Sequence, residues 1–335
     1  VPLGVVLAIS PFNYPVNLSA AKIAPALVSG NTVVFKPATQ GALSGIKMIQ
    51  ALHKTGLPKG VINLVTGRGS VIGDHLVEHP DINMISFTGG TKNGLHIASK
   101  TKMIPLVMEL GGKDPAIVRE DADLAYTAKQ IVSGAFSYSG QRCTAIKRVL
   151  VNEAVADQLV ELLKQEVEQL TVGSPKDNNV IVPLIDDGSA DYVYGLIMDA
   201  VEKGATVVTG NKRQDNLIYP TLLDHVTPDM EVAWQEPFGP VLPVIRVASD
   251  DEAIRLANES EFGLQASIFT SNINQAFLMA PKIETGSVQI NGRTERGPDH
   301  FPFNGVKGSG TGTQGIRRSI ESMTREKVTV LNIHL

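Results

Sequence analysis

Cys143 is the one thiol in a chain of 335 residues. A lone cysteine has two readings: a small buried apolar group, or a nucleophile once it loses its proton. Its setting, Ser139-Gly140-Gln141-Arg142-Cys143-Thr144, is polar and flexible. Arg142 places a cation beside a thiol whose ordinary pKa is about 8.5, which favours the thiolate. Two carboxylates stand in comparable settings. Glu109 ends an apolar run and is followed by Leu110-Gly111-Gly112-Lys113. It reads either as a solvated loop acid or as a general base at a mobile Gly-Gly hinge. Glu236 lies in Gln235-Glu236-Pro237-Phe238-Gly239-Pro240. It reads either as part of a rigid turn or as a ligand for ribose hydroxyls. Spacing alone does not bring the three together.

Glycine-rich turns are the second source of chemistry. Gly67-Arg68-Gly69, with Gly73 beyond, sits on a strand-to-helix turn, and so does Phe87-Thr88-Gly89-Gly90 with Gly94 beyond. Glycine lets backbone N–H groups approach a phosphate, and a helix N-terminus favours an anion. Each turn reads as a nucleotide contact or as a tight connection only. A formal GxGxxG at Gly310, Gly312 and Gly315 follows no apolar strand and precedes no suitably spaced acid. It reads as a flexible loop.

The elements that must position these residues alternate along the first third. Short apolar runs at Val5–Ile9, Thr32–Phe35, Val61–Val65, Met84–Phe87 and Pro105–Leu110 are separated by helical stretches. Buried runs with crossover helices predict parallel strands covered on both faces, a doubly wound α/β sheet. Ligands of such sheets bind beyond the carboxyl ends of the strands. Asn13, Lys36, Gly67, Gly69, Gly89 and Glu109 follow or end those runs. A second unit begins near Gly111-Gly112, with a strand at Ala116–Val118, a helix from Asp123 and a longer helix from Val155 to Leu170. Further strands are expected at Thr206–Val208, Ile268–Thr270 and Val288–Ile290, a helix over Ile316–Met323, and a terminal strand over Lys327–Ile333 that needs a partner.

Composition narrows the function. The chain is 43% hydrophobic and 19% charged, with a net charge of −4. That suits an ordinary globular protein and offers no basic excess for nucleic acid. The longest apolar run near the start, Leu3 to Ile9, falls short of the ~18 residues of a membrane span and has no basic leader. Neither nucleic acid nor membrane is an expected partner. One cysteine permits no intrachain disulfide, which suits a reducing, cytoplasmic setting, and no zinc-ligand spacing or other metal site is expected. The chain opens at Val1 without Met, directly in strand-like sequence, and is expected to be a fragment or a trimmed chain.

Taken together, Glu109-Leu110-Gly111-Gly112-Lys113, Gly140-Gln141-Arg142-Cys143-Thr144-Ala145, Pro11-Phe12-Asn13, Lys36-Pro37, Phe87-Thr88-Gly89 and Glu236-Pro237-Phe238-Gly239-Pro240 resemble the signature segments of the aldehyde dehydrogenase superfamily. The resemblance runs from Val1 to the end of the chain, and the N-terminal part of the family chain is missing. It implies a Rossmann-like cofactor domain over 1–111, a catalytic α/β domain over 112–325 and an oligomerisation strand over 326–335. It implies Cys143 as nucleophile, with the Asn13 amide and the Cys143 N–H as the oxyanion hole. Glu109 would activate the hydrolytic water. Lys36 would hold the adenosine ribose or its 2′-phosphate, and Glu236 the nicotinamide ribose, with Phe238 near the nicotinamide. Gly89 and Gly94 would belong to the turn facing the pyrophosphate.

Within the superfamily, Ser10 to Leu18, Tyr138 to Cys143, and Arg296-Gly297 before Phe301-Pro302-Phe303 resemble the NADP-dependent, non-phosphorylating glyceraldehyde-3-phosphate dehydrogenases. That resemblance implies oxidation of a small phosphorylated aldehyde of glycolysis through a thiohemiacetal and a thioester, in a homotetramer. Tyr14, Arg142 and Arg296 would hold the substrate phosphate, where arginine's planar fork suits the task. Thr39 stands where NAD-preferring relatives often place Glu. A neutral residue there removes repulsion of a 2′-phosphate, so NADP is the expected cofactor and NAD the alternative. Gly90 departs from a common Ser, removing one phosphate contact. The alternative functions are oxidation of another small aldehyde, such as a semialdehyde or lactaldehyde, or an inactive fragment of such an enzyme.

Overall fold

The structure, a computed structural model, describes residues 1–333. The chain divides into two compact units. The first comprises Val1–Leu110, Gly297–Asn304 and the described residues from Gly310 on; the second comprises Gly111–Arg296 and Gly305–Ser309.

In the first unit, short runs rich in branched apolar residues form β1 (Val5–Ile9), β2 (Thr32–Lys36), β3 (Ile62–Leu64), β4 (Met84–Thr88) and β5 (Leu106–Glu109). The helices α1 (Asn17–Val28), α2 (Ala42–His53), α3 (Gly69–Val77) and α4 (Thr91–Lys100) alternate with them. The five strands are parallel, in the order β5-β4-β1-β2-β3. Two apolar clusters flank the sheet, one around Val6, Ala8, Val33 and Phe35, the other around Leu7, Ile85, Met108 and Leu110. Alternate residues of each strand thus enter opposite cores, the signature of a sheet covered on both faces.

The second unit begins with β6 (Pro115–Val118), α5 (Leu124–Phe136), β7 (Arg148–Asn152), α6 (Glu153–Glu168) and α7 (Asp187–Glu202). The helices start at side-chain caps: Asp123 accepts from the Tyr126 N–H, Asn152 from Ala154 and Asp186 from Ser189. β8 (Thr206–Thr209), a short hairpin of β9 (Arg213–Gln214) and β10 (Leu217–Ile218), β11 (Thr221–Asp224), β12 (Val241–Val247), α8 (Asp250–Asn258), β13 (Phe262–Gly263), β14 (Gln265–Phe269), α9 (Ile273–Met279), β15 (Ser287–Ile290) and β16 (Val306–Lys307) follow. Its main sheet runs β15-β14-β6-β7-β12-β11-β8, parallel except for β8.

The chain then returns to the first unit. β17 (Gly310–Thr311) pairs antiparallel with β5, placing Gly310 opposite Glu109, and α10 (Ile316–Ser322) packs on α1. The expected second domain over 112–325 is therefore interrupted: residues 297–304 and 310–325 belong with the first unit. The stretch from Gly310 to Gly315, expected as a flexible loop, is instead an edge strand and turn. A Cβ at Gly310, where φ is +135°, would strike the Met108 carbonyl. Over Lys327–Ile333, expected as a terminal strand that needs a partner, the described residues form no ladder with one another or with the rest of the described chain, and Val328, Val330, Leu331 and Ile333 are exposed. Residues 334–335 lie outside the described residues. Among the described residues, no helix is long and apolar enough to cross a membrane.

Candidate active site

The first unit gathers its candidates along one edge of the sheet. Parallel pairing aligns Ile9 with both Lys36 and Phe87, and Thr88 with Glu109, so the strand ends are neighbours. Beyond them stand Asn13, which is buried, Tyr14, which is partly exposed, and the Gly89-Gly90 turn into α4. Glu109 is 4% exposed. Its Oε2 accepts from the Thr88 hydroxyl at 3.2 Å, and the Lys22 ammonium, on α1, donates to that hydroxyl at 2.6 Å. Lys22 is fully buried. Sequence reasoning passed over Lys22 and saw Thr88 only as part of a glycine turn. The signal for Lys22 was present: it is the one charged residue in α1, within Leu18-Ser19-Ala20-Ala21-Lys22-Ile23-Ala24-Pro25.

Lys36 ends β2, buried, and its ammonium meets one partner among the described residues, the Pro37 carbonyl at 3.3 Å. Burial pushes its pKa below the ordinary lysine value. A lysine at a strand's carboxyl end with a single neutral partner fits a group that brings oxygens or negative charge. Thr39 is exposed. Gly90 caps α4, and a side chain there would meet nothing within 4 Å; the same holds at Gly69. The backbone at both turns is thus open to a phosphate, as a dinucleotide requires. Gly67, at a φ of +159°, is backed by Ile72, and a Cβ at Gly89 would come 2.6 Å from the Phe87 ring. Gly94 is buried inside α4, where a Cβ would come 2.5 Å from Leu110, so a glycine is needed there for close packing of the helix.

In the second unit, Cys143 follows a one-turn helix, Ser137–Gly140, that breaks from α5. Tyr138, Ser139 and Gly140 have φ of 62°, 55° and 70°. Three consecutive left-handed residues are costly and persist only where the surroundings enforce them. Here the Ser139 hydroxyl donates to the Val182 carbonyl at 3.0 Å, and Gln141 Oε1 accepts from the Ile185 N–H at 3.0 Å. Gly140 lies against the Gly239 carbonyl, where no Cβ fits. The turn leaves Cys143 partly exposed while its neighbours are buried.

Arg142 is 7% exposed. Among the described residues its guanidinium donates to the Ser137 hydroxyl and to the carbonyls of Thr144 (3.4 Å) and Thr294 (3.0 Å), all uncharged. Glu236 is tied to two other segments. Its Oε1 accepts from the Gly112 N–H at 3.0 Å and lies 3.2 Å from the Lys147 ammonium. Lys147 also donates to the Cys143 carbonyl. Phe238 and Arg296 are partly exposed, Phe238 with a φ of 49°.

The family model of the aldehyde dehydrogenases matches residues 1–329. The chain belongs to the aldehyde dehydrogenase family. It is 59% identical over 332 residues to the NADP-dependent glyceraldehyde-3-phosphate dehydrogenase of Streptococcus equinus, covering 99% of this chain and 70% of that protein. It is 57% identical to the enzyme of the same name from Pisum sativum, covering 99% of this chain and 67% of that one. Among solved structures, the NADP-dependent glyceraldehyde-3-phosphate dehydrogenase of Bacillus halodurans C-125, complexed with NADP, matches with a TM-score of 0.98 and 69% identity, over 99% of this chain and 70% of that chain. A salicylaldehyde dehydrogenase from Pseudomonas putida G7 matches with a TM-score of 0.96 at 37% identity, over 100% of this chain and 71% of that chain. As an aldehyde dehydrogenase, this chain is an oxidoreductase with a mixed α/β fold, and Cys143, Glu109 and Asn13 lie within its matched span.

Proposed function

We propose that this aldehyde dehydrogenase oxidises D-glyceraldehyde 3-phosphate with NADP⁺ and water to 3-phosphoglycerate and NADPH. The observation that carries the substrate is Arg142, the residue before the thiol: a buried guanidinium whose hydrogen-bond partners among the described residues are all uncharged. A buried cation held by neutral acceptors is matched to an incoming anion. The names of the relatives at 57–59% identity agree with it. Tyr14 and Arg296 are assigned to the same phosphate. Lys36, the exposed Thr39 and the open backbone at Gly69 and Gly90 favour NADP, with NAD as the weaker alternative.

In this reading the Cys143 thiolate adds to the aldehyde carbon, forming the C–S bond and an oxyanion. The Asn13 amide and the Cys143 N–H donate to that oxygen; loss of one such donor commonly raises a barrier by about 3 kcal/mol. When bound, the nicotinamide supplies the hydride acceptor. Cys143 is left as a thioester, the covalent intermediate expected of a cysteine nucleophile. Glu109 takes a proton from water, which attacks the acyl carbon, and the thiolate leaves. The single cysteine is compatible with work in the cytoplasm, and the exposed apolar tail from Val328 to Ile333 with a homotetramer.

The test is NADPH formation by the purified protein without inorganic phosphate. Cys143→Ala is expected to abolish it. Arg142→Gln is expected to lower kcat/KM for D-glyceraldehyde 3-phosphate by about a hundredfold, and for an unphosphorylated aldehyde by much less. Equal losses on both substrates would move the reading to an unphosphorylated aldehyde.

A further inference from the structure

Lys147 is 1% exposed and lies four positions after Cys143, just before β7. Its own N–H donates to the Asp114 carbonyl at 3.0 Å, which pins its backbone to the start of β6. From there the side chain turns back, donates to the Cys143 carbonyl and reaches Glu236 Oε1 at 3.2 Å. The same carboxylate oxygen accepts from Gly112. One ammonium and one carboxylate therefore join three segments: the Gly111-Gly112 link, the thiol turn and the Glu236 turn. A buried ammonium costs least where a counter-charge and an acceptor meet it, and Lys147 has both in Glu236 and the Cys143 carbonyl.

We propose that Lys147 is a positioning residue that fixes the Cys143–Thr144 peptide and sets the resting orientation of Glu236, so that one charge holds the nucleophile's turn and the ribose ligand in register. The inference rests on the assignment of Cys143 and Glu236 above. It follows that a change at either end of the Lys147–Glu236 pair is felt at the other. Without the ammonium, the Glu236 carboxylate loses its cation and the Cys143 carbonyl loses a donor. Without the carboxylate, the ammonium is left uncompensated directly on the thiol turn.

The experiment compares Lys147→Met, Lys147→Arg and Glu236→Gln with the parent protein. Two readouts need no turnover: NADPH affinity by fluorescence titration, and the rate of iodoacetamide alkylation in the cofactor-free protein, which reports Cys143 alone because it is the single thiol. Lys147→Met is expected to weaken NADPH about tenfold and to change the alkylation rate at least about threefold, the scale of a misplaced rather than a deleted group. Lys147→Arg is expected to restore most of both. Glu236→Gln is expected to change Cys143 alkylation, although Glu236 is distant in sequence; this arm stands even if Lys147→Met fails to fold. Alkylation unmoved by Glu236→Gln, or NADPH affinity unmoved in a folded Lys147→Met, would overturn the inference. A parent protein inert toward D-glyceraldehyde 3-phosphate, with both readouts shifted in the variants, would overturn the substrate reading alone.

Discussion

Each unit buries a lysine connected to a glutamate, and a hydroxyl takes part in the first arrangement but not in the second. In the first, Lys22 donates to the Thr88 hydroxyl, and that hydroxyl donates to Glu109. In the second, the Lys147 ammonium meets Glu236 itself. A hydroxyl both donates and accepts, so it can relay a change in protonation between its neighbours. A direct ion pair instead fixes the carboxylate as an acceptor. The two patterns suit the different work proposed for them, a proton moved by Glu109 and a ligand held by Glu236. Charge near a carboxylate therefore says little about its role until the intervening atoms are known.

The sharpest way to break that contrast is Glu109→Gln. An amide cannot take the proton of water, so steady-state turnover is expected to fall about a thousandfold. Acylation does not need the base in this reading, so one equivalent of NADPH should still form in a rapid burst. Stopped-flow absorbance of the nicotinamide separates the two phases. Loss of the burst together with the steady state would give Glu109 a role before hydrolysis and erase the proposed division of labour.

Thr88→Val sharpens the same point at smaller scale. Valine keeps the branched shape that suits β4 and removes only the hydroxyl between Lys22 and Glu109. Steady-state turnover is expected to fall about tenfold to a hundredfold, with its dependence on pH displaced. Turnover and pH profile equal to those of the parent would mean that the bridge is packing alone, and the two units would then differ in nothing that matters to the reaction.

How much of this was legible in the sequence follows from the same contrast. Lys36 and Glu109 were located by a general rule, since residues ending parallel strands share one edge of the sheet, and β1, β2, β4 and β5 are short enough to read as single apolar runs. Cys143 was placed between a helix and a strand, but the left-handed turn from Tyr138 to Gly140 was not visible, because its cause lies in contacts to Val182, Ile185 and Gly239. β12 was missed as well: Pro243 interrupts its pattern, and a proline argues against a strand interior. The return of β17 and α10 to the first unit rests on Gly310 pairing with Glu109 across a long separation, which no local pattern encodes. Lys147, beside Arg148, looks like a surface charge until its turn is packed, whereas Lys22 stands out as the lone charge of an apolar helix.

The smallest expected effect concerns a third buried charge, where neither arrangement is used. Asp114 Oδ1 accepts from the Gln265 N–H at 3.2 Å, and its Oδ2 is buried with no hydrogen-bond partner among the described residues. Burial, the largest influence, pushes this carboxyl from its ordinary 3.8 up to about 7, against the pull of the Lys147 charge. Between those two values the unfolded chain has already released the proton that the folded protein keeps. The folded state therefore binds more protons, and its stability falls as pH rises through that window. Asparagine mimics the protonated acid and has no charge to bury. The melting temperature of Asp114→Asn relative to the parent is accordingly expected to rise by a few degrees between about pH 5 and about pH 8. Scanning calorimetry across that range measures it. Parallel melting profiles would mean that Asp114 is ionised in the fold throughout. It would then belong with Glu236 as a carboxylate held by Lys147, and the second unit would rest on a shared charge rather than a single pair.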